Sequence, residues 1–327
     1  IFIDPILSFL RVPEEVWGGM REYLLIIFAG LLATSLYNFF SCLLRALGNS
    51  TVPLVFLAVS AILNIAWDLL FVAVFHWGIA GAAYATIFAQ YVSGIGILLY
   101  VLFRCRSLFP ERKDLCFDGG ILKEIAGLSS LTCLQQSVMN FGILMVQGLV
   151  NSFGATTMAA FAAAVKIDTF AYLPVQDFGN AYSTFIAQNY GAGNKERIRR
   201  GTKESFAIST AFSLVISALV FAFAAPLMQI FVSSAETAVI ASGVRYLRIE
   251  GAFYFGIGCL FLLYGYYRAI KRAEMSVVLT VISLGIRVLL AYVLSATFLG
   301  ETGIWMAIPI GWILADLTGL LYMRKTW

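Results

Sequence analysis

Charge and histidine are what this sequence has least of. Only 12% of its 327 residues are charged, and His76 is the single histidine. A soluble domain has about 25% charged residues, so this scarcity, with 61% hydrophobic residues and a mean hydropathy of +0.88, excludes an ordinary water-soluble fold. One histidine cannot assemble a histidine-based metal centre, and neither H-E-x-x-H nor G-x-S-x-G occurs, so the chain is not an intramembrane enzyme. Cys42, Cys105, Cys116, Cys133 and Cys259 stand apart with no C-x-x-C, which removes a zinc site and a disulfide framework. The run YGAGNKERIRRG lacks GK[ST] and follows a helical pattern rather than a strand, so it is no phosphate loop; Gly191 and Gly193 end a helix instead. The chain opens on Ile1 without a basic segment ahead of a short apolar core, so no signal peptide is expected. No cofactor is implied.

What is present is a series of apolar runs. A spanning helix needs about 20 mostly apolar residues. With breaks at Pro, Gly and charge clusters, the pattern predicts nine spans, at 21–45, 53–75, 79–103, 123–150, 156–187, 203–231, 242–267, 275–298 and 303–323. Residues 1–10 read as the tail of an earlier span, and no separate soluble domain fits between the runs. If every run crosses, one side receives Arg45, then the cluster from Arg104 to Lys123 that includes Arg106, Arg112 and Lys113. The same side receives the cluster from Lys195 to Lys203, then Arg268, Lys271, Arg272, Arg324 and Lys325. The other side holds only Arg11, Arg21, Arg245 and Arg248. The positive-inside rule makes the first side cytoplasmic, and the expected location is the cell's inner, or plasma, membrane. The net charge of +4 therefore reports orientation and implies no nucleic acid.

The chain also repeats itself. Tyr23-Leu24 through Arg45-Ala46 reappears as Tyr246-Leu247 through Arg268-Ala269 at a shift of 223, and Ser60 meets Ser283 at the same shift. Gly78-Ile79 meets Gly303-Ile304 at a shift of 225. Each period holds six spans, an even number, so the halves insert in the same sense about an axis along the membrane normal. The expected fold is an all-α integral membrane protein of two pseudo-symmetric helical bundles on a 6+6 plan. The equivalent of the helix near residue 123 falls upstream of Ile1, so the first half is expected to lack about three spans. Residues 1–104 then form the second half of an N-terminal lobe, 105–122 a cytoplasmic linker, and 123–327 a C-terminal lobe.

Within SAILNIAWDLLF, Asn64 and Asp68 are four residues apart and share a helix face. A charged Asp near a helix centre costs about 2.5–3.5 kcal/mol on insertion scales. A bound cation, a proton on the carboxylate, or a hydrogen bond from a neighbouring helix offsets that cost. Thr86, on the next span, supplies a further hydroxyl. Oxygen ligands of this kind suit a hard monovalent ion or a proton relay. An inert, hydrogen-bonded Asp68 near the helix end is the plainer alternative.

LLRALGNSTVPL (43–54), SAILNIAWDLLF (60–71), GIAGAAYATIFAQ (78–90) and QNYGAGNKER (188–197) together resemble the multidrug and toxic compound extrusion (MATE) family. The resemblance implies a two-lobed monomeric antiporter that exports small organic cations and drugs in exchange for H+ or Na+ by alternating access. Asn64, Asp68 and Thr86 match the family's cation site, which also uses an acid from a first helix not in this sequence. No metal is implied beyond Na+. Where some members carry an acid on the seventh helix this chain reads LTCLQQSVMNFG, with Gln135 and Gln136 uncharged. FAAAVKIDTFAYLPVQDFGNAYSTFIAQ is the most polar span. Lys166 and Asp168 point to different faces, and Asp177 follows Pro174, which is expected to bend the helix. With Gln135 and Gln136 these residues form a substrate or gating set, and a structural ion pair for Lys166 is the alternative. Arg287, at the repeat position of Asn64, is expected to pair with Glu250 or Asp316. The alternative function is a flippase for a lipid-linked precursor.

Overall fold

The computed structural model describes residues 3–4, 14–106 and 117–326. Most of the span tail expected in residues 1–10, together with Arg11, Arg112, Lys113 and Cys116, lies outside the described residues. Among the described residues every regular element is a helix, as it must be where lipid offers the backbone no hydrogen-bond partner.

In chain order these are α1 Glu14–Ala29, α2 Leu31–Ala46, α3 Thr51–Asp68, α4 Gly78–Arg104, α5 Gly119–Asn151, α6 Ala155–Gly191, α7 Lys195–Gln229, α8 Thr237–Gly251, α9 Tyr254–Ala269, α10 Ala273–Thr280, α11 Ile286–Ser295 and α12 Glu301–Thr326. A π-helical segment, Leu69–Val74, continues α3, and a second, Val281–Gly285, joins α10 to α11. Among the described residues eight stretches are long and apolar enough to cross a membrane, the first being Trp17–Ala46, which joins α1 and α2. The pair α8 and α9, bent by 51° at Ala252–Phe253, is a ninth candidate when counted as one broken span. Turn chemistry closes the breaks: the Asp118 side chain accepts from the Gly120 and Ile121 N–H groups, and Asn194 accepts from Arg197 N–H.

The helix ends carry the repeat further than the residue matches do. Adding 223 to the start and end of α2 (31 and 46) gives 254 and 269, which are the start and end of α9. Gly48 and Lys271 are related by the same shift and both adopt positive φ, 86° and 62°. A left-handed residue after a helix releases the chain into its next turn.

The chain divides into two compact units, Ile1–Phe117 and Asp118–Trp327. In the first, α2 and α3 pack on α4. Gly94 lies so close to the Ala33 carbonyl that no Cβ fits between, and the Tyr37 hydroxyl donates to the Pro53 carbonyl at 3.0 Å. Small residues at such crossings are how membrane helices approach without a hydrophobic drive. Along α3 only Pro53 is buried, so this helix presents an apolar surface nearly all round.

In the second unit α6 is central, packed on α7, α8 and α9, with a core of Phe161, Leu262, Leu263, Tyr267 and Trp305. A Cβ on Gly265 would stand 2.6 Å from the Gly179 carbonyl. α6 runs unbroken from Ala155 to Gly191 through Pro174; the interruption of helical angles falls instead at Phe223 of α7, three residues before Pro226. Proline's fixed φ is itself helical, and it removes only one hydrogen bond.

Glu301, first residue of α12, ties three helices together. Its Oε2 accepts from Thr157 of α6 at 2.8 Å and Ser242 of α8 at 3.1 Å, and its Oε1 faces Arg245 at 3.3 Å. Glu301→Ala leaves two hydroxyls and a guanidinium without their acceptor. The expected loss is about 2–3 kcal/mol of stability, read as a lower thermal unfolding midpoint in detergent, with Glu301→Gln losing less than half as much.

Candidate functional site

Asp68 is the last residue of regular α-helix in its span, and the widened π turns begin at Leu69. π segments inside membrane helices recur at functional sites because the ladder there leaves backbone groups less tightly paired. Asn64 and Asp68, four residues apart, are both half-buried, and Asn64 Nδ2 is buried with no hydrogen-bond partner. Two contacts fix how α4 lies against them. The Ser60 hydroxyl donates to the Ala89 carbonyl at 2.8 Å, and a Cβ on Gly81 would meet the Phe71 backbone at 3.2 Å. For antiparallel helices, interpolation between 60 opposite 89 and 71 opposite 81 puts Thr86 level with Asn64. No hydrogen bond links the three to one another; the Thr86 hydroxyl donates to the Ala82 carbonyl of its own helix at 3.0 Å. Between the same two helices lies an open apolar hollow of about 600 Å³ walled by Trp67, Phe71, Phe88 and Tyr91, and none of the three candidates lines it.

The second unit contains a buried polar cluster that the sequence reading saw only in part. Asp168, 4% exposed, lies where α6 meets the bend between α8 and α9, and its Oδ1 accepts a hydrogen bond from Tyr254, the first residue of α9. Glu250, 6% exposed, lies just before the bend. Tyr246 and Glu250 are close enough to interact with Asp168, and Arg287 acts electrostatically on both carboxylates. Asp168 Oδ2, Glu250 Oε2 and Arg287 Nε have no hydrogen-bond partner. Broken membrane helices bring uncommitted backbone and polar groups together in this way. The expected Arg287 pair is therefore corrected: among the described residues Arg287 makes no ion pair with Glu250 or Asp316. It influences Glu250 and Asp168 from beyond contact, while Asp316 interacts with Cys259.

The other sequence candidates separate by environment. Gln135 is buried, while Gln136, Pro174 and Asp177 are exposed. Lys166 and Asp168 do point to different faces, one exposed and one buried. Lys166 makes no ion pair among the described residues; its Nζ sits 5.8 Å from the centre of the Phe231 ring, which accounts for its tolerance in an apolar span. Glu250, Tyr246 and Tyr254 were missed as a group, although their spacing of four residues was the signal.

A family model described as MatE matches residues 1–70 and 131–293. The chain belongs to the MatE family. The match contains Asn64, Asp68 and all five residues of the buried cluster, while Thr86 lies outside it. A MatE member of this kind is a multi-pass membrane transporter of the multidrug efflux class, not an enzyme. It is 33% identical over 322 residues to the probable multidrug resistance protein YpnP of Bacillus subtilis, covering 98% of this chain and 71% of that protein. The probable multidrug resistance protein NorM of Thermotoga maritima is 27% identical over 323 residues, covering 96% and 68%. In fold, a MOP superfamily transporter from Pyrococcus furiosus superposes with a TM-score of 0.93 at 24% identity, over 99% of this MatE chain and 73% of that one. The Vibrio cholerae MATE transporter VcmN in its bent form gives 0.89 at 23%, again over 99% and 73%.

Proposed function

We propose that this MatE protein is a monomeric plasma-membrane antiporter that exports small organic cations in exchange for H+ or Na+, with Asn64, Asp68 and Thr86 as the coupling-ion site. The observation that carries the reading is Asp68 itself. A carboxylate is kept inside an apolar span, in its last third, where regular helix gives way to a π segment, one turn from an amide nitrogen with no internal partner. An ion that enters neutralises the Asp68 carboxylate, and an ion that leaves restores the cost of its charge, so the site has two states of different energy. Alternating access needs such a pair of states. The unit beginning at Asp118 then forms the second lobe, with residues 105–122 as the linker. Gln135, Gln136, Lys166, Asp168, Pro174 and Asp177 serve as substrate contacts or gate. Aromatic walls such as Trp67 and Phe88 suit a flat lipophilic cation.

The test is efflux of a fluorescent organic cation from vesicles containing the full-length protein, first under an imposed pH gradient, then under an imposed Na+ gradient. One gradient is expected to drive export at least about tenfold above protein-free vesicles, and that gradient names the ion. Export driven equally with no gradient overturns coupling, and movement of a lipid-linked anion in its place favours the flippase.

A further inference from the structure

A second hollow, of about 600 Å³, opens where α6 ends, α7 begins and the α9–α10 turn meets the end of α12. Lys195, Arg199, Arg272 and Lys325 line it, against one acid, Glu196. Four positive charges and one negative line one small volume, and with Glu274 3.7 Å from Arg272 the lining still carries a net positive charge. The four cations come from three segments distant in the chain, and each segment belongs to the basic side in the sequence reading. Folding brings them together although their mutual repulsion is unfavourable. The start of α7 adds its own positive end, although the Gly193 carbonyl accepts from the Lys195 N–H and the Asn194 side chain from the Arg197 N–H. The remaining wall is of another kind: Tyr190 and Tyr266 with Ile198 and Ile270. A phosphate alone needs the cations and not the apolar wall. A phosphate carrying acyl chains uses both, and these five helix ends are where the polar boundary of a bilayer meets the protein.

We propose that this hollow binds the phosphate of an anionic phospholipid headgroup from the leaflet that the basic loops mark as cytoplasmic. The bound lipid holds the α6–α7 turn, the α9–α10 turn and the end of α12 together through its charge. Binding of a fluorescent phosphatidylglycerol to the full-length protein in uncharged detergent tests this, with glycerol phosphate as the soluble probe of the same chemistry. One juxtamembrane cation contributes about 1 kcal/mol, so Lys195→Ala, Arg272→Ala and Lys325→Ala are each expected to weaken binding about fivefold, and the triple variant about a hundredfold. Circular dichroism of the triple variant matching the parent separates loss of binding from loss of fold. Lys123→Ala and Lys203→Ala, basic-side lysines outside the hollow, are expected to change binding less than twofold. Equal loss in these controls, or parental binding by the triple variant, overturns the site. Glycerol phosphate binding as tightly as the lipid overturns the lipid as its occupant in favour of a soluble phosphate.

Discussion

Asp68→Asn in the full-length protein is expected to reduce ion-driven export of a fluorescent cation by about a hundredfold, with insertion and helical content unchanged. The substitution keeps the size and planarity of the side chain and removes only its charge. A charged hydrogen-bonding or ion contact is worth about 1.5–3 kcal/mol, and each 1.4 kcal/mol is tenfold in an equilibrium, which sets the magnitude. Asn64→Ala should cost less, about tenfold, because it removes a neutral ligand. Thr86→Val should cost least, because it removes one neutral hydroxyl oxygen and keeps the shape of the side chain. The order of the three effects is the informative outcome. A purely structural Asp68 predicts lower protein yield with normal specific transport; undiminished gradient-driven export by Asp68→Asn removes the proposed ion site. The same variant leaves the Lys195–Lys325 hollow intact, so failure here has no bearing on the lipid measurement.

The crossings were legible because the bilayer imposes one rule on every residue of a span. Apolar runs of the required length, and the shift of 223 linking Tyr23-Leu24 to Tyr246-Leu247, needed no knowledge of tertiary contact. Asp68 was legible for the same reason, as an acid in such a run. The bend between Gly251 and Tyr254 was not: no proline marks it, and its counterpart at Gly30 leaves a 30-residue crossing without the sharp bend. Bending there depends on what packs around α8 and α9. Asp168 likewise showed its charge in sequence, but not that Tyr254 would reach it across 86 residues. Arg287 illustrates the opposite limit. Charge balance made a direct pair with Glu250 attractive on paper, whereas the helix positions hold the two apart and leave Arg287 Nε without a hydrogen bond. Pro174 stays inside a continuous helix although its own face is exposed, because it removes only one hydrogen bond from a 37-residue ladder.

Arg287→Leu is the second large effect. With Asp168 and Glu250 buried at 4% and 6% exposure and interacting with each other, Arg287 is the cation acting on both. Removing it takes away the one cation that acts on two buried acids, and because it acts from beyond contact the expected cost is about 1–3 kcal/mol, below that of breaking a buried contact pair. The expected result is a fall in the unfolding midpoint in detergent. Glu250→Gln placed in the same chain removes half of the uncompensated charge and should recover at least half of the loss, although Glu250→Gln alone in the parent is expected to be nearly neutral. That sign reversal identifies an electrostatic cause, because a packing defect at position 287 would leave the two substitutions additive. If the double variant is less stable than Arg287→Leu alone, Arg287 does not balance the cluster, and the bend between α8 and α9 must be held by the Tyr254 to Asp168 hydrogen bond and the packing around it.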